Sequence, residues 1–159
     1  MLGKVAIIMK IVFVRRVMDK KIHIIGSIGS GKTTLAKKLS LKSGIPYFEL
    51  DNIVWERLVS GDMKRSPNDR KENLNEIIRL DSWIIEGVYH KWVAKSFEES
   101  DAILFLDIKL SVRRLRIIKG FVVQKLGYET SNYNPTFKIL KDLYMYNTFF
   151  EYNSKPEIL

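Results

Sequence analysis

A glycine-rich stretch between a short apolar run and an amphipathic segment constrains this chain more than any other feature. Residues 26–33 are Gly-Ser-Ile-Gly-Ser-Gly-Lys-Thr, which fits the spacing G-x-x-x-x-G-K-[ST]. Glycine has no Cβ, so the backbone can adopt positive φ and bring several N–H groups close to one anion. The stretch therefore predicts a phosphate-binding loop.

The side chains at the end of this loop predict a nucleoside triphosphate as the ligand. A helix that begins at Lys32 would direct its N-terminal dipole and its N–H groups at the phosphates. Lys32 would add a positive charge near the β- and γ-phosphates, and the Thr33 hydroxyl would ligate Mg²⁺. The predicted set for binding ATP and Mg²⁺ is Gly26, Ser27, Gly29, Ser30, Gly31, Lys32, Thr33 and Thr34.

The segments on either side of the loop predict a strand before it and a helix after it. Residues 22–25, Ile-His-Ile-Ile, form a short apolar run typical of a strand covered on both faces. After the loop, Leu35 and Leu39 fall on one helical face, and Gly44 and Pro46 end the pattern. This order favours phosphate binding over the alternative, a purely structural loop.

Composition restricts the remaining classes of protein. A chain of 159 residues with 46% hydrophobic content can bury one core, so one domain is expected. The chain has no cysteine, which excludes disulfides and favours a reducing cytoplasm. No apolar run reaches the roughly 18 residues of a membrane span. The net charge of +9 suits anionic partners, whether nucleotides, phosphorylated metabolites or nucleic acid.

The first 17 residues are interpreted as an N-terminal extension to a single domain over residues 18–159. Residues 5–14 are apolar apart from Lys10, so a secretory signal is one interpretation. The run ends in two arginines without a small-residue cleavage site, which favours an extra strand or an upstream extension.

Short apolar runs predict three further strands, over residues 47–50, 83–85 and 102–106. Parallel sheets bind ligands beyond the carboxyl ends of their strands, so Asp51 and Glu86 are site candidates. Asp51 would orient or deprotonate an acceptor, with Trp55 on the same face of a following helix. The alternative is an N-cap and a buried tryptophan. Glu86 would organise Mg²⁺ through water, and Gly87 would let the backbone turn sharply.

A basic helix face is predicted after the last of these strands. Apolar residues recur at helical spacing over residues 112–122, and the other face carries Arg113, Arg114, Arg116 and Lys119. Arg113 and Arg116 are candidate catalytic residues that would clamp a transferring phosphoryl group. A solvated basic face is the alternative.

Two more helices and a hinge complete the predicted elements. Ser66 and Asp69 are typical of a capping box, so a helix is expected over residues 67–80. Residues 127–134 predict a hinge or the tip of a lid. A last amphipathic helix is expected to start at residues 134–135.

The chain contains two histidines. His23 lies inside the first predicted strand and is assigned to packing. His90 lies in a predicted loop, where a catalytic role is possible but a plain polar loop residue is favoured.

Taken in order, these motifs resemble those of small adenylate-kinase-like P-loop proteins. The shared motifs are the phosphate loop, Leu50-Asp51-x-x-x-Trp55, Trp83-Ile84-Ile85-Glu86-Gly87, Phe105-Leu106-Asp107 and Arg113-x-x-Arg116. From about residue 18 to residue 159 the chain is similar to the group described as DNA topology modulation proteins. This resemblance implies a three-layer α/β sandwich of the nucleoside-monophosphate-kinase type, with a parallel sheet of order 2-3-1-4-5.

The resemblance also implies roles for individual side chains. Lys32 and Thr33 would hold the phosphates of ATP and Mg²⁺. Glu86 would stand where these kinases have the aspartate of an Asp-Gly pair, and its longer side chain changes the geometry. Arg113 and Arg116 would match arginines of a lid helix.

The carboxyl end departs from this pattern. Relatives continue beyond the segment similar to residues 155–159 into a fifth strand and a loop that contacts adenine. We therefore expect a sheet of order 2-3-1-4 in a C-terminally truncated reading frame. Residues 5–14 are a candidate to cover the edge of strand four that this leaves open.

Two functions from different classes remain open on the sequence. The first is an ATP-dependent kinase that transfers the γ-phosphoryl group to a small-molecule acceptor, which is a nucleotide, a nucleoside or another metabolite. The second is a nucleotide-binding regulator that contacts nucleic acid. The charge permits it, but no helix-turn-helix or RNP-type pattern supports it. A GTPase is disfavoured because N-K-x-D and D-x-x-G are both absent.

Overall fold

A computed structural model describes residues 8–14, 20–58, 61–128 and 136–159 of the chain. Two compact units are distinguished in it. The first comprises Met1–Gly26 and Gly31–Leu106, and the second comprises Ser27–Ser30 and Asp107–Leu159. Each unit is described by itself.

The first unit is built on a five-stranded sheet. The strands of the chain are β1 (Ile8–Val14), β2 (Lys21–Gly26), β3 (Tyr47–Glu49), β4 (Trp55–Glu56), β5 (Met63–Lys64), β6 (Trp83–Gly87) and β7 (Ala102–Asp107). The sheet has the order β1-β7-β2-β6-β3. β2 pairs in parallel with β6 and with β7, and β3 pairs in parallel with β6. This confirms the predicted fold class and the order of its four predicted strands.

The strand at the outer edge of this sheet comes from the N-terminal extension. β1 is the neighbour of β7, the strand whose edge was expected to lack a partner. The suggestion that this segment covers the edge is thus confirmed for Ile8–Val14, while residues 5–7 lie outside the described ranges. A paired edge no longer presents unsatisfied backbone groups to other chains.

The helices follow the predicted capping signals. They are α1 (Lys32–Ser43), α2 (Leu50–Val54), α3 (Pro67–Ile78), α4 (Ala94–Glu98), α5 (Leu110–Lys125), α6 (Phe137–Phe149) and α7 (Lys155–Ile158), with a π-helical turn at Phe150–Ser154. Gly44 ends α1 with φ of 73°, and Ser66 with Asp69 forms the predicted capping box before α3. The last long helix starts at Phe137 with Thr136 as its cap, and residues 129–134 of the predicted hinge lie outside the described ranges.

Two hydrophobic clusters on opposite faces of the sheet give the first unit its three layers. Ile24 and Ile84 pack with α1, whose buried contribution includes Ala36. The neighbouring strand residues Trp83 and Ile85 point to the other face and pack against side chains of α2 and α3. A strand buried on both faces requires an almost continuous apolar sequence, and all five residues of β6 are buried.

Candidate phosphate-binding site

The loop between β2 and α1 has the backbone geometry that its glycines predict. Gly29 has φ of 76° and Gly31 has φ of 95°, both in the left-handed region that favours glycine. The Ser30 N–H donates to the Ser27 carbonyl at 3.2 Å, which closes a tight turn. Gly31 is the N-cap residue of α1 and there is no side-chain cap, which is an arrangement in which a helix N-terminus can receive an anion.

Lys32, Thr33 and Glu86 lie together in the first unit. The Lys32 side chain is buried, with 8% of its surface exposed. The Thr33 hydroxyl donates to Oε1 of Glu86 at 2.6 Å. A hydroxyl group that donates its hydrogen keeps its lone pairs, so the Thr33 oxygen can still ligate a cation. The residues present therefore fit a Mg²⁺ ion held by Thr33, with Glu86 fixing the orientation of that ligand.

Glu86 owes its electrostatic state to burial in the sheet. It stands opposite Ile24 on β2 and opposite Glu49 on β3, and it is 4% exposed. Burial raises the pKa of this carboxyl. The charge of Lys32 and the Thr33 hydrogen bond act in the opposite direction, while Glu49 and Asp51 add to the rise. A bound divalent cation would favour the ionised form.

The loop serines and threonines have different environments. Ser27 and Ser30 are buried, with 1% and 2% of their surfaces exposed, whereas Thr34 on α1 is exposed. Among the described residues, the Ser30 hydroxyl is a buried polar atom without a hydrogen-bond partner. Such groups usually find one, and a phosphate oxygen at this loop would supply it.

The structure corrects the predicted relation between Asp51 and Trp55. Asp51 is exposed in the first turn of α2. The helix ends at Val54, and Trp55 belongs to β4, where it pairs with Lys64 of β5. The two side chains therefore do not share a helical face. The short β4–β5 hairpin ends α2 early, and two-residue strands carry no periodic pattern that the sequence could reveal.

A cleft of about 380 Å³ lies beside α2, lined by Tyr47, Phe48, Glu49, Asn52 and Ile53. The three residues of β3, the edge strand of the sheet, are among those that line this cleft. Its size is in the lower range of small-molecule sites. Glu49, which lines the cleft, is the register partner of Glu86 across the β3–β6 pair.

Arg65 and Gly87 serve this region in ways that the sequence did not indicate. Arg65 donates from Nη1 to the carbonyls of Asn52 and Ile53, at 2.7 and 3.2 Å, and so caps the carboxyl end of α2. Gly87 is the last residue of β6, where an added Cβ would come within 2.6 Å of the Leu50 side chain. The glycine is thus required for close packing and not for the predicted sharp turn.

In the second unit, three consecutive carbonyls of the phosphate loop accept hydrogen bonds from helix side chains. Asn147 on α6 donates from Nδ2 to the Ile28 carbonyl at 2.9 Å. Arg116 on α5 donates from Nη1 to the carbonyls of Gly29 and Ser30, at 3.1 and 3.2 Å. Asn147 is fully buried. The sequence analysis missed it because its partner is 119 residues away.

Arg113 is a buried member of an ionic network in the second unit. Its exposure is 2%, and it donates to the Ile108 carbonyl and to the carboxylate of Glu151. Burial lowers the pKa of this guanidinium, and the charges of Glu151 and Asp107 oppose that effect. Lys155 joins the network through Asp107 at 2.6 Å. Nε and Nη2 of Arg113 thus have protein partners, whereas its Nη1 is buried without a hydrogen-bond partner among the described residues.

The two histidines of the chain lie in different environments. His23 is fully buried, its Nδ1 lies 3.0 Å from the Ser96 hydroxyl, and its ring packs on Phe97 with centroids 4.3 Å apart. The packing role predicted for His23 is confirmed. His90 lies in the loop after β6 and is half-buried.

The sheet topology and the glycine-rich loop together define the structural class of this protein. The protein is a three-layer P-loop α/β protein with a parallel sheet, in which the glycine-rich loop joins the central strand β2 to α1. None of the helices in the described ranges has the length and apolar character that crossing a bilayer requires.

A curated protein is similar to part of this chain. No protein-family model matches the chain. A segment of 101 residues, 63% of the chain, is 30% identical to "Uncharacterized protein YqaC" of Bacillus subtilis (strain 168), and it spans 56% of that protein. The chain thus spans little more than half the length of this curated relative.

Two solved structures are similar to parts of this chain. One is a shikimate kinase from Bacteroides thetaiotaomicron, with a TM-score of 0.44 and 19% identity over 61% of this chain and 62% of that one. The other is a gluconokinase from Sinorhizobium meliloti 1021, with a TM-score of 0.44 and 15% identity over 89% of this chain and 99% of that one. The predicted membership of the DNA topology modulation group is not confirmed by these comparisons.

Proposed function

We propose that this protein binds Mg²⁺-ATP at the loop of residues 26–33 and transfers the γ-phosphoryl group to a small-molecule acceptor in the cytoplasm. The observation that carries the proposal is the hydrogen bond between Thr33 and Glu86 beside the buried Lys32. A buried lysine and a hydroxyl that donates to a carboxylate lie together at the start of this helix. They are the groups that a triphosphate and its metal require.

Each residue of this site has a defined part in the proposed reaction. The loop N–H groups and Lys32 bind and orient the β- and γ-phosphates, and Thr33 ligates the metal under the control of Glu86. Mg²⁺ held there would supply positive charge to the phosphate oxygens. Positioning and electrostatic stabilisation account for most phosphoryl-transfer catalysis, so no covalent intermediate with the protein is needed.

The acceptor is proposed to be an alcohol that carries no phosphate of its own. Among the described residues that line the cleft beside α2, Glu49 is the charged one, and Asp51 lies in the next turn of chain. Arg65 is directed at backbone carbonyls. An acidic cleft repels a phosphorylated acceptor and suits a neutral or cationic alcohol with an apolar body. Asp51 remains the candidate to orient or deprotonate the acceptor hydroxyl.

Calorimetric titration with Mg²⁺-ATP tests the nucleotide site. Lys32→Ala should weaken binding by roughly 100-fold, the upper range for a hydrogen bond to a charged group. The matched control is Lys38→Ala, which removes the same charge from an exposed position of the same helix and should bind as the wild type does. Equal affinities for all three proteins would refute the proposal.

ADP release tests the acceptor class. The enzyme is offered pairs of alcohols that differ by one phosphate, namely adenosine and AMP, thymidine and dTMP, glycerol and glycerol 3-phosphate. Turnover should favour the member without phosphate, and Glu49→Gln should reduce that preference. Preference for the phosphorylated member would refute the acceptor class while leaving the kinase proposal intact.

A nucleic-acid-binding regulator is the second candidate, as the resemblance to DNA topology modulation proteins suggests. The observation that favours it is a set of exposed aromatic side chains near cations in the second unit. Phe137 is 70% exposed, and the Lys125 ammonium lies 4.2 Å from its ring centroid. Exposed rings and cations together bind single strands. Duplex or single-strand binding that weakens steeply with salt, without acceptor-dependent ADP release, would establish it.

A further inference from the structure

We infer that Asn147 and Arg116 are positioning residues that set the direction of the phosphate-loop peptides, an inference that rests on the proposed function of this loop. Neither side chain needs to touch the nucleotide in this role. Both act on the carbonyl side of the loop, through the three hydrogen bonds to Ile28, Gly29 and Ser30.

The geometry of the peptide bond makes such contacts consequential. A trans peptide is planar, and its C=O and N–H point in opposite directions. Holding the Ile28 and Ser30 carbonyls therefore directs the N–H groups of Gly29 and Gly31 to the opposite side of the loop. These are the N–H groups that a phosphate-binding loop offers to its anion.

The loop needs this external hold because its glycines are flexible. Gly29 and Gly31 reach positive φ without strain, but glycine also has the largest freedom to leave that conformation. The Ser30-to-Ser27 turn bond fixes one peptide only. A fully buried amide on α6 and a guanidinium on α5 restrain the adjacent peptides, so less ordering remains to be done when the anion binds.

The first variant removes the hydrogen-bond donor of Asn147. Asn147→Leu keeps similar volume in a buried position and removes the Nδ2–H donor to Ile28. Thr148→Val is the matched control, because Thr148 on the same helix accepts a bond from Arg114 of α5 at 2.9 Å and does not contact the loop. Asn147→Leu loses one hydrogen bond of α6, and Thr148→Val loses two, since the Thr148 hydroxyl also donates to the Tyr144 carbonyl at 3.0 Å.

The probe is inorganic tripolyphosphate, which has the phosphates of ATP but no base or ribose, and its affinity is measured by calorimetry with ATP in parallel. Asn147→Leu should weaken both ligands by the same factor of about ten, the equivalent of one hydrogen bond. Thr148→Val should leave both affinities unchanged. Arg116→Met should act like Asn147→Leu, and Arg116→Lys, which retains one donor, should recover part of the loss.

The outcomes separate this inference from the proposed function. Wild-type protein that binds neither ligand would overturn both. Wild-type binding with an Asn147→Leu variant of equal affinity, or a loss shared by Thr148→Val, would overturn the positioning role alone. If Asn147→Leu does not fold, the Arg116 pair decides. Equal affinities of Arg116→Met and wild type would overturn the inference, and a loss that lysine partly restores would support it.

Discussion

The buried histidine of β2 makes the stability of this protein depend on pH in a way that can be calculated. Burial lowers the pKa of His23 from 6.5 to about 3. The Ser96 hydroxyl also donates to the Val93 carbonyl at 2.7 Å. The bond between Ser96 and His23 is therefore donated by Nδ1–H, and the ring is neutral with its hydrogen on Nδ1. The Nε2 atom is buried without a partner among the described residues.

The sign follows from the proton count of each state. The unfolded chain binds a proton at His23 below pH 6.5 while the folded chain does not, so stability is complete above pH 6.5 and is lost as the pH falls. The difference between 6.5 and about 3 corresponds to about 5 kcal/mol in full, at roughly 1.4 kcal/mol for each pH unit. At pH 5 the loss amounts to about 2 kcal/mol.

Urea unfolding at pH 8 and pH 5, followed by tryptophan fluorescence, measures this effect. The free energy of unfolding of the wild type should fall by about 2 kcal/mol more than that of His23→Gln, which has no titrating ring. His90→Gln is the matched control, because it removes the other histidine of the chain and should keep the wild-type pH dependence.

A spectroscopic measurement covers the case in which His23→Gln is too unstable to study. The two histidine Cε1–H signals of the wild type are titrated by NMR, and that of His23 should not move between pH 8 and pH 5. The reasoning is refuted if this signal titrates near 6.5, or if His23→Gln retains the full acid sensitivity of the wild type.

Two other predictions concern the phosphate site, one on Glu86 and one on Gly29. The raised pKa of Glu86 means that its contribution to stability is present below about 4.5 and is lost as the pH rises. Glu86→Gln should therefore gain stability relative to wild type in urea unfolding from pH 5 to pH 8, yet bind Mg²⁺-ATP 10- to 100-fold more weakly, as outer-shell metal variants do. Loss of stability at pH 8 would contradict this. Gly29→Ala and Gly44→Ala have similar φ, 76° and 73°, but only the first Cβ would meet another atom, the Arg113 carbonyl at 2.9 Å. Both should unfold about 1–2 kcal/mol more easily, Gly29→Ala by the larger amount. Only Gly29→Ala should weaken tripolyphosphate binding, and equal behaviour would remove the loop from the explanation.

Local sequence signals were sufficient to predict most helices and strands of the first unit. The buried strands β2, β6 and β7 are short apolar runs, and helices α1 and α3 carry their caps in adjacent residues, with Gly44 and the Ser66 capping box confirmed. The order of the strands could not be predicted from such local signals, because strand pairing joins residues that are distant in sequence. It came from the resemblance of the motifs to a known group.

Residues whose partners are distant in sequence escaped prediction. The sequence predicted one basic face on α5. In the structure its arginines have different environments, which depend on contacts with the C-terminal segment. Arg113 is buried because Glu151, 38 residues later, meets it, and Arg114 lies over the ring of Tyr144 at 4.2 Å. Asn147 had no signal of its own, since one asparagine within an aromatic helix is unremarkable until its partner is known.

Two polar residues in the buried strands show how a functional side chain can be told from a structural one. His23 and Glu86 both interrupt apolar runs, and both are inside the sheet. His23 is neutral, and the partner it has, Ser96, belongs to a packing helix, so the fold alone accounts for it. Glu86 is directed at Thr33, the residue that follows the loop lysine. Burial disfavours its ionised form, while the charge of Lys32 and the Thr33 hydrogen bond favour it. Under the proposed function a bound Mg²⁺ would favour the ionised carboxylate further. The Thr33–Glu86 pair therefore supports our proposal of a metal site, whereas packing accounts for the Ser96–His23 pair.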